Sequence, residues 1–539
     1  MFKKFMSAAA LATLAIVWVL SAQSPAQKAL DDAAKAMGVA NVKTLTIMGE
    51  GGDGFVGQVL DARSDLWRWY KDTNVIRSYD FDAKGFRTQR TRGEGNVPPG
   101  GGAGTTTPAP TTDQNTVTMA AAFNAQVEMA MTPVGFLKAA AEHSSTLTAK
   151  TEKKMTVVSF PMDAGAGAAT YKTTVNGYID EKGMVQKVDT TINENFLGDI
   201  KWEATFTDWK DFGGVKFPTH IVQRQGGPKL FELMISDVKV NQPVDLTQQA
   251  KGGGKGGPGG APGGGKGGDG KGGGKGGGKG GDAKAGDLKA LPELAAGKGK
   301  GGPGGPGAAK GGPAPVDSED LGGGFWLVRG GYGSIIADFK DYVMLIEGPS
   351  GDTRIDQILA EAKRLVPNKP IRYVINTHAH FDHATGLRAL TGEGVTIITH
   401  ENNKGFYEKA ISNPHTLVPD RMQKSAPKAK VKVQYVGDKK VFTDGTHTIE
   451  TYHLKGSTHS VGMLLVYLPK QKILIEADEF NVPGQVATAP PAVINGYQTN
   501  LLAEVQRLKL DVDRIIPIHL PGDNRKVALA ELKMAAGKP

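Results

Sequence analysis

Cysteine is absent from all 539 residues of this chain. A disulfide framework, a thiol nucleophile and a cysteine-bound metal are therefore excluded, and any metal has to be bound by His, Asp or Glu. Long apolar runs are also missing beyond the N-terminus, because no other stretch reaches the roughly 18 residues that a membrane-spanning helix needs. The mature protein is therefore predicted to be soluble.

Glycine, by contrast, is abundant, and its distribution divides the chain. Residues 251–312 contain 31 glycines and 11 lysines but only four acidic residues, so they carry a net charge of +7 out of +9. This composition cannot bury enough apolar area to offset the entropy of ordering, which predicts a disordered linker at residues 249–315. Because the positive charge is confined to this segment, it does not indicate a nucleic-acid-binding protein.

The first 22 residues are typical of a secretory signal peptide. Lys3 and Lys4 precede an apolar run over residues 5–20, and small residues follow at Ser21 and Ala22. This order of positive, apolar and small-residue sections predicts export and cleavage, with an uncleaved anchor as the alternative. We therefore expect a periplasmic or secreted protein. Lipidation is excluded because it needs a cysteine.

Residues 27–248 are predicted to form a mainly antiparallel β domain with one or two helices. Stretches rich in Val, Thr and aromatic residues alternate with turn signals, and a helix is expected near residues 117–130. The pattern resembles the sheets of periplasmic lipoprotein carriers, which implies binding of a hydrophobic ligand or of the envelope. The positively charged linker could also contact a membrane surface. The alternative is that the linker is only a spacer between the two regions. This half contains no evident group of catalytic residues.

Residues 316–539 alternate strands and helices, which predicts an α/β sandwich. Nine of the eleven histidines lie here. After a predicted buried strand at residues 371–375, the chain reads Asn-Thr-His-Ala-His-Phe-Asp-His over residues 376–383. In an extended segment, residues two apart point to the same side, so His378 and His380 can bind one ion together. Asp382 and His383, at the start of a predicted helix, would point to a neighbouring position, which suits two adjacent metals.

Three further candidate ligands stand at predicted strand ends. His459 precedes a strand, whereas Asp478 and His519 each follow one. Loops at one edge of a sandwich are a common place for an open site on a rigid scaffold. The sequence therefore predicts that these residues meet the His378–His383 segment.

This set of residues resembles the metallo-β-lactamase superfamily over residues ~324–520. The resemblance implies an αβ/βα sandwich and two zinc ions per chain, with iron or manganese as alternatives. It further implies that His378, His380 and His459 bind the first ion. Asp382, His383 and His519 would bind the second, and Asp478 would bridge the two. Asp382 would also act in catalysis by orienting the attacking hydroxide.

Differences from particular branches of the family narrow the choice of subfamily. Without cysteine, the ligand set is similar to the glyoxalase II and lactonase branches, in which an aspartate stands where Asp478 does. His380 stands where flavo-diiron proteins have Glu, which disfavours a redox di-iron site. Many relatives have an Asp where this chain has Glu347, and Glu347 is expected to take its supporting role.

The resemblance implies an exported di-zinc hydrolase that uses a metal-bridging hydroxide to cleave an ester, lactone, thioester or amide, β-lactams included. Its partner would be a small-molecule substrate rather than a nucleic acid. Two alternatives stay open. One is a mononuclear iron dioxygenase of the persulfide dioxygenase type, and the other is a periplasmic protein binding a lipid or hydrophobic ligand with an accessory hydrolase domain. Of the remaining histidines, His453 is a candidate for the rim of the site, His400 is expected to pack, and His415 and His447 are expected at the surface.

Overall fold

The structure, a computed structural model, describes residues 24–96, 111–247, 316–330 and 332–538. The predicted signal peptide at residues 1–22 and the predicted linker at residues 249–315 lie outside these ranges. No helix in the described ranges is long and apolar enough to cross a membrane.

The N-terminal region, residues 24–247, is one antiparallel sheet with three α-helices on it. Within the described residues the sheet has eleven strands in the order β4-β3-β2-β1-β11-β10-β9-β8-β7-β6-β5. The elements are α1 (Pro25–Met37), β1 (Thr44–Asp61), β2 (Leu66–Asp80), β3 (Gly85–Gly93), β4 (Thr111–Met119), α2 (Ala125–Ala130), α3 (Pro133–Glu142), β5 (Thr148–Glu152), β6 (Met155–Ala164), β7 (Tyr171–Ile179), β8 (Val185–Glu194), β9 (Gly198–Phe212), β10 (Val215–Gln225) and β11 (Lys229–Val240). The predicted antiparallel β architecture of this half is confirmed.

Local signals set the ends of α1. The Ser24 side chain accepts a hydrogen bond from the Gln27 amide, and Pro25 occupies the first helical position. Gly38 ends the helix with φ at +72°, a left-handed conformation that glycine adopts without steric cost.

The helix expected over residues 117–130 is wrong in its first part. Residues 111–119 form β4, which pairs with β3 along its whole length, and only residues 125–130 are helical. Pairing with a neighbouring strand therefore overrides the local helical pattern at residues 117–119.

The C-terminal region is a sandwich of two mixed sheets with helices. Within the described residues, one sheet has the order β12-β13-β14-β15-β16-β17-β18 and the other β19-β20-β21-β22-β23-β24. The strands are β12 (Ser318–Asp320), β13 (Phe325–Val328), β14 (Ser334–Phe339), β15 (Tyr342–Ile346), β16 (Ile371–Ile375), β17 (Thr396–His400), β18 (Val433–Val436), β19 (Lys439–Thr443), β20 (Thr448–His453), β21 (Leu464–Leu468), β22 (Ile473–Glu476), β23 (Arg514–Pro517) and β24 (Val527–Ala528). The helices are α4 (Asp352–Leu365), α5 (Phe381–Ala384), α6 (Leu387–Gly392), α7 (Phe406–Ser412), α8 (Arg421–Ser425), α9 (Gly496–Arg507) and α10 (Leu529–Ala535).

One apolar core lies between these two sheets. It is built from inward side chains of both, among them Ile375 on β16 and Ile475 on β22. Since β15 to β18 run parallel, as do β22 and β23, several strands deliver their carboxyl ends to the same edge. The predicted αβ/βα sandwich is confirmed, and β24 and α10 extend it past the last strand that the sequence predicts.

The N-terminal and C-terminal regions share a second core. Phe196, in the turn between β8 and β9, packs against the rings of Phe406 and Tyr407 on α7, with centroids 6.1 and 6.3 Å away. Beside it, the Asp199 carboxylate accepts hydrogen bonds from the amide and hydroxyl of Thr416 at 2.7 and 2.6 Å. The two regions therefore contact each other directly.

His415 lies in this contact and is only 2% exposed. The expectation that it is a surface residue is wrong. The turn that contains Gly198 covers its ring, and no local sequence pattern indicates a turn more than 200 residues away.

Candidate metal centre

The seven candidate ligands all lie at one edge of the sandwich, where strands end. His378 and His380 follow β16, and Asp382 and His383 lie on the single turn of α5. The remaining three residues, His459, Asp478 and His519, lie between β20 and β21, after β22 and after β23 respectively. The structure therefore brings together all seven candidate ligands.

The first cluster consists of His378, His380, His459 and Asp478, whose ligand atoms all lie within 4.8 Å of one another. Nε2 of His378 is 3.2 Å from Nε2 of His459. Oδ2 of Asp478 is 2.9 Å from Nε2 of His459 and 3.4 Å from Nε2 of His378. All four residues are buried, with at most 4% exposure. Four inward-facing donors at this spacing can hold one cation.

The second cluster consists of Asp382, His383, Asp478 and His519. Nε2 of His383 is 3.2 Å from Nε2 of His519 and 3.3 Å from Oδ2 of Asp478. Oδ2 of Asp382 is 3.6 Å from Nε2 of His383 and 3.5 Å from Nε2 of His519. The side chains of Asp382 and His519 are 12% and 15% exposed, so this cluster is the more open one.

Asp478 belongs to both clusters. Its Oδ2 lies near His459 of the first cluster and His383 of the second, and its Oδ1 lies 2.6 Å from Nε2 of His519. The residue has a left-handed backbone with φ at +62°, which is strained for a side chain other than glycine and is often found at functional sites. A carboxylate turned in this way can bridge two ions.

Glu347 supports the second cluster from behind. It follows β15 with φ at +70° and is fully buried. Its Oε1 accepts a hydrogen bond from the Thr377 amide at 2.6 Å, and its Oε2 accepts one from Nδ1 of His383 at 3.2 Å. Because Nδ1 of His383 donates, Nε2 keeps its lone pair for the cluster. Glu347 thus occupies the supporting position that the sequence suggested.

Two polar contacts hold the segment before the histidines. Asn376 donates to the carbonyl of His383 at 3.0 Å and accepts a hydrogen bond from the Tyr407 hydroxyl. The Thr377 hydroxyl lies 3.1 Å from Nδ1 of His378. These contacts fix the turn between β16 and α5 and leave Nε2 of His378 directed at the first cluster.

The outer partner of His380 comes from the N-terminal sheet. Nε2 of His380 donates to the carbonyl of Val59 on β1 at 3.0 Å, across 321 positions of sequence. Sequence reasoning assigned no part of the site to this half. This contact could not be predicted from the sequence, because every residue type has a backbone carbonyl.

Burial and neighbouring charge set the protonation of the first cluster. Burial lowers the pKa of His378, lowers that of His380 well below its usual value, and lowers that of His459 to about 3. These rings are neutral at pH 7 even without a cation. Neutral imidazole is the form that binds a metal.

His383 behaves in the opposite way. Burial alone would lower its pKa, but the carboxylates of Asp382 and Asp478 raise it well above the usual value. The same ion pairs, together with His519 and His459, hold the pKa of Asp478 well below its usual range against the effect of burial. In the metal-free protein, the second cluster therefore holds a proton on His383, which a cation would displace.

The donor set fits two divalent ions. Nδ1 of His380 and Oδ1 of Asp382 are buried and have no hydrogen-bond partner among the described residues. Each lies in one of the two clusters, and a buried unpaired polar atom is costly. Imidazole and carboxylate donors without thiolates suit zinc, iron and manganese.

A third group, His400, Asp438 and His453, also has its ligand atoms within 4.8 Å. The His400 and His453 rings stack at 3.8 Å, so His400 packs as expected. Its Nδ1 accepts a hydrogen bond from the Asn402 amide, which leaves the proton of the neutral ring on Nε2. Lys455 lies 2.7 Å from the Asp438 carboxylate. The group is therefore poorly suited to a cation, and His453 is absent from both ligand clusters.

Tyr332 is a site residue that sequence reasoning missed. Its ring packs edge-on against His519 and His383, with centroids at 4.7 and 5.8 Å. Burial, together with the charges of Asp382 and Asp478, raises its pKa, so the hydroxyl keeps its proton at neutral pH. Its neighbours Gly330 and Gly333 are typical of a loop, and nothing in the sequence connects that loop to the histidines.

A sandwich with two His and Asp clusters at one edge defines the class as a metal-binding αβ/βα protein. Residues 330–519 match the model of the metallo-beta-lactamase superfamily. The C-terminal region of this chain is therefore a metallo-beta-lactamase superfamily domain, as the sequence resemblance implied. Members of this superfamily are mostly hydrolases that bind metal ions, commonly zinc.

Solved structures of metallo-beta-lactamases are similar to part of the chain. The enzyme from Pontibacter korlensis is 19% identical, with 41% of this chain and 97% of that chain covered and a TM-score of 0.31. The one from Hirschia baltica is 22% identical, with 41% and 97% covered and a TM-score of 0.31. FIM-1 from Pseudomonas aeruginosa, in a mono-zinc form, is 20% identical, with 42% and 96% covered and a TM-score of 0.30. No curated protein matches the chain significantly.

Proposed function

We propose that the protein is an exported di-zinc hydrolase that cleaves an ester, lactone, thioester or amide bond, β-lactams included. The observation that carries the proposal is the pair of clusters joined by Asp478, with His378, His380 and His459 on one side and Asp382, His383 and His519 on the other. Each ion would have three donors of its own and would share Asp478, so water and substrate would bind by expansion of the coordination to five.

Two ions bound here would supply an activated water near neutral pH and would polarise a substrate carbonyl. The chain's own residues supply the rest. Asp382 is the catalytic residue, because its buried Oδ1 has no hydrogen-bond partner among the described residues and could accept a hydrogen bond from the attacking water and orient it. The protonated hydroxyl of Tyr332, which lies beside Asp382, could donate to an oxygen of the substrate.

The compartment and the partners are part of the same proposal. The signal-like residues 1–22 favour a periplasmic or secreted protein. The partner that we propose is a small-molecule substrate. The basic segment at residues 251–312 would serve as a spacer, and its positive charge would allow contact with an anionic envelope surface.

Metal analysis combined with a substrate panel tests this function. We expect about two zinc ions per chain, a sharp reduction in His378→Ala, and hydrolysis of at least one member of an ester, lactone, thioester and β-lactam panel. One iron per chain with oxygen consumption on a sulfur substrate would favour a dioxygenase instead. No tightly bound metal, with lipid copurifying with residues 27–248, would favour a ligand-binding protein.

A further inference from the structure

The long hairpin of β1 and β2 is interrupted next to the metal centre. The β1–β2 register shifts at three places, and at the widest of them the pairing passes from Gly54 with Trp69 directly to Val59 with Trp67. Four residues of β1 therefore face a single residue of β2, Arg68. Such a bulge bends a strand and aims part of it away from its sheet. We call residues 55–60 the bulge segment.

Two backbone carbonyls of the bulge segment accept hydrogen bonds from residues in or near the first cluster. The Val59 carbonyl accepts the hydrogen bond from Nε2 of His380 at 3.0 Å. The next carbonyl, of Leu60, accepts one from the Val461 amide at 2.9 Å, two residues after His459. Both contacts join β1 to loops that carry histidines of the same cluster.

Two further contacts lock the segment in place. Gly57, with φ at +81°, lies so close to Phe381 that an added Cβ would be 2.9 Å from the Cβ of Phe381. Arg68, opposite the bulge, is 1% exposed and donates to Oε1 of Gln58 at 3.2 Å and to the Tyr497 hydroxyl at 3.4 Å. The Tyr497 ring in turn packs edge-on against His459 at 5.8 Å.

We propose that the bulge segment of the N-terminal sheet is a positioning element of the metal centre. This inference rests on the proposed metal-binding function. The Val59 carbonyl keeps the proton of His380 on Nε2, so that Nδ1 presents its lone pair to the cluster, and the segment covers the first cluster on the side of His380. Substrate then reaches the centre from the side of Asp382 and His519. The N-terminal region is thus part of the site rather than a separate binding module.

The carbonyl cannot be removed by substitution, but it can be displaced. Gly57→Ala places a methyl group against Phe381 and strains a left-handed backbone. Gly214→Ala is the matched control, because Gly214 has φ at +91° in the β9–β10 turn and an added Cβ there meets nothing within 4 Å. Both variants carry comparable backbone strain, and only the first pushes the bulge segment away from His380.

Zinc affinity, measured by chelator competition in a His519→Ala background, reports the first cluster alone. We expect Gly57→Ala to weaken binding by about 10- to 100-fold, as for loss of an outer partner of a ligating histidine, and Gly214→Ala to leave it unchanged. Equal affinity in both variants would overturn the inference. If the parent protein itself binds no zinc, the proposed function fails along with the inference. If the parent binds zinc and both variants bind it equally well, only the inference fails.

If Gly57→Ala does not fold, hydrogen exchange of the unsubstituted protein provides the test. Coupling between metal binding and segment docking is reciprocal. Zinc is therefore expected to slow hydrogen exchange of the Val461 amide, which donates to the Leu60 carbonyl. The factor should be similar to the factor by which the docked segment raises zinc affinity. Unchanged exchange at Val461 on zinc binding would overturn the inference.

Discussion

A single buried carboxylate, that of Glu347, prepares His383 for metal binding. Its two oxygens accept hydrogen bonds from the Thr377 amide and from Nδ1 of His383. Glu347 makes both contacts with a strained, left-handed backbone. Strain of this kind persists where the surrounding structure over-determines the conformation.

Glu347→Gln tests this role. The amide keeps the shape but removes the negative charge that holds the proton on Nδ1 of His383, so we expect affinity for the second metal ion to fall about 10- to 100-fold. Metal content and chelator competition measure the effect. Glu361→Gln is the control, because Glu361 pairs with Arg364 on α4, outside both ligand clusters. A similar loss in both variants would contradict a specific role for Glu347.

Tyr332 provides a second prediction at the scale of one residue. Tyr332→Phe keeps the edge-on contacts with His519 and His383 and removes only the hydroxyl, so we expect normal metal content with kcat lowered by about tenfold or more, typical of a lost hydrogen bond in the transition state. Steady-state kinetics on the best panel substrate measures this. Unchanged kcat would show that the hydroxyl takes no part in the reaction.

Among the elements, the turn between β8 and β9 makes a contact that depends on pH. It covers His415, whose pKa burial lowers to about 4, with the positive charge of Arg388 acting in the same direction. An unfolded histidine titrates near 6.5. The stabilising contribution of neutral His415 is therefore complete above pH 6.5 and is lost as the pH falls towards 4.

His415→Gln is expected to reduce this pH dependence. Between pH 6.5 and 4, the free energy of unfolding should fall less steeply than in the parent protein, by at most about 3 kcal/mol. Denaturant unfolding at several pH values measures the difference. His220→Gln, on β10 away from this contact, is the control. Parallel pH profiles for the His415 variant and the parent would contradict the assignment.

The elements of the C-terminal region were largely predictable, because strand and helix signals there are local. Residues 371–375 form a strand with the predicted bounds, and His519 follows a strand as predicted. Errors arose where a distant partner decides the conformation, as for β4, which pairs with β3 across an intervening segment. The short β24 pairs with β23 and carries too few residues for a pattern.

The residues of the candidate site also differ in whether the local sequence predicts them. All seven candidate ligands could be found from the sequence, since four lie within six residues and the others stand at recognisable strand ends. Val59 could not, because a carbonyl has no residue-specific signature and the contact spans 321 positions. Tyr332 could not be predicted, because only the fold brings its ring into contact with His519.

At the scale of the whole molecule, the two regions act as one unit joined by direct contacts. The Val59–His380 hydrogen bond, the Asp199–Thr416 hydrogen bonds and the Phe196 ring packing all connect them. The covalent connection through residues 248–315 is then not needed to hold them together once folded.

Cleavage of that connection tests the point. With a specific protease site inserted after Lys279, we expect the two fragments to coelute in size-exclusion chromatography after cleavage and to keep the metal content of the intact chain. Cleaved protein with the site inserted after Lys255 is the control for position. Separation of the fragments, with loss of metal, would contradict direct association.

Zinc titration of the metal-free protein tests the central claim, that two ions share Asp478, most directly. The account predicts two equivalents for the parent protein, one each for His459→Ala and His519→Ala, and weakened binding of both ions in Asp478→Asn. It also predicts proton release on binding to the second cluster, because His383 carries a proton there in the metal-free state. A single equivalent that is unaffected by Asp478→Asn would contradict the account.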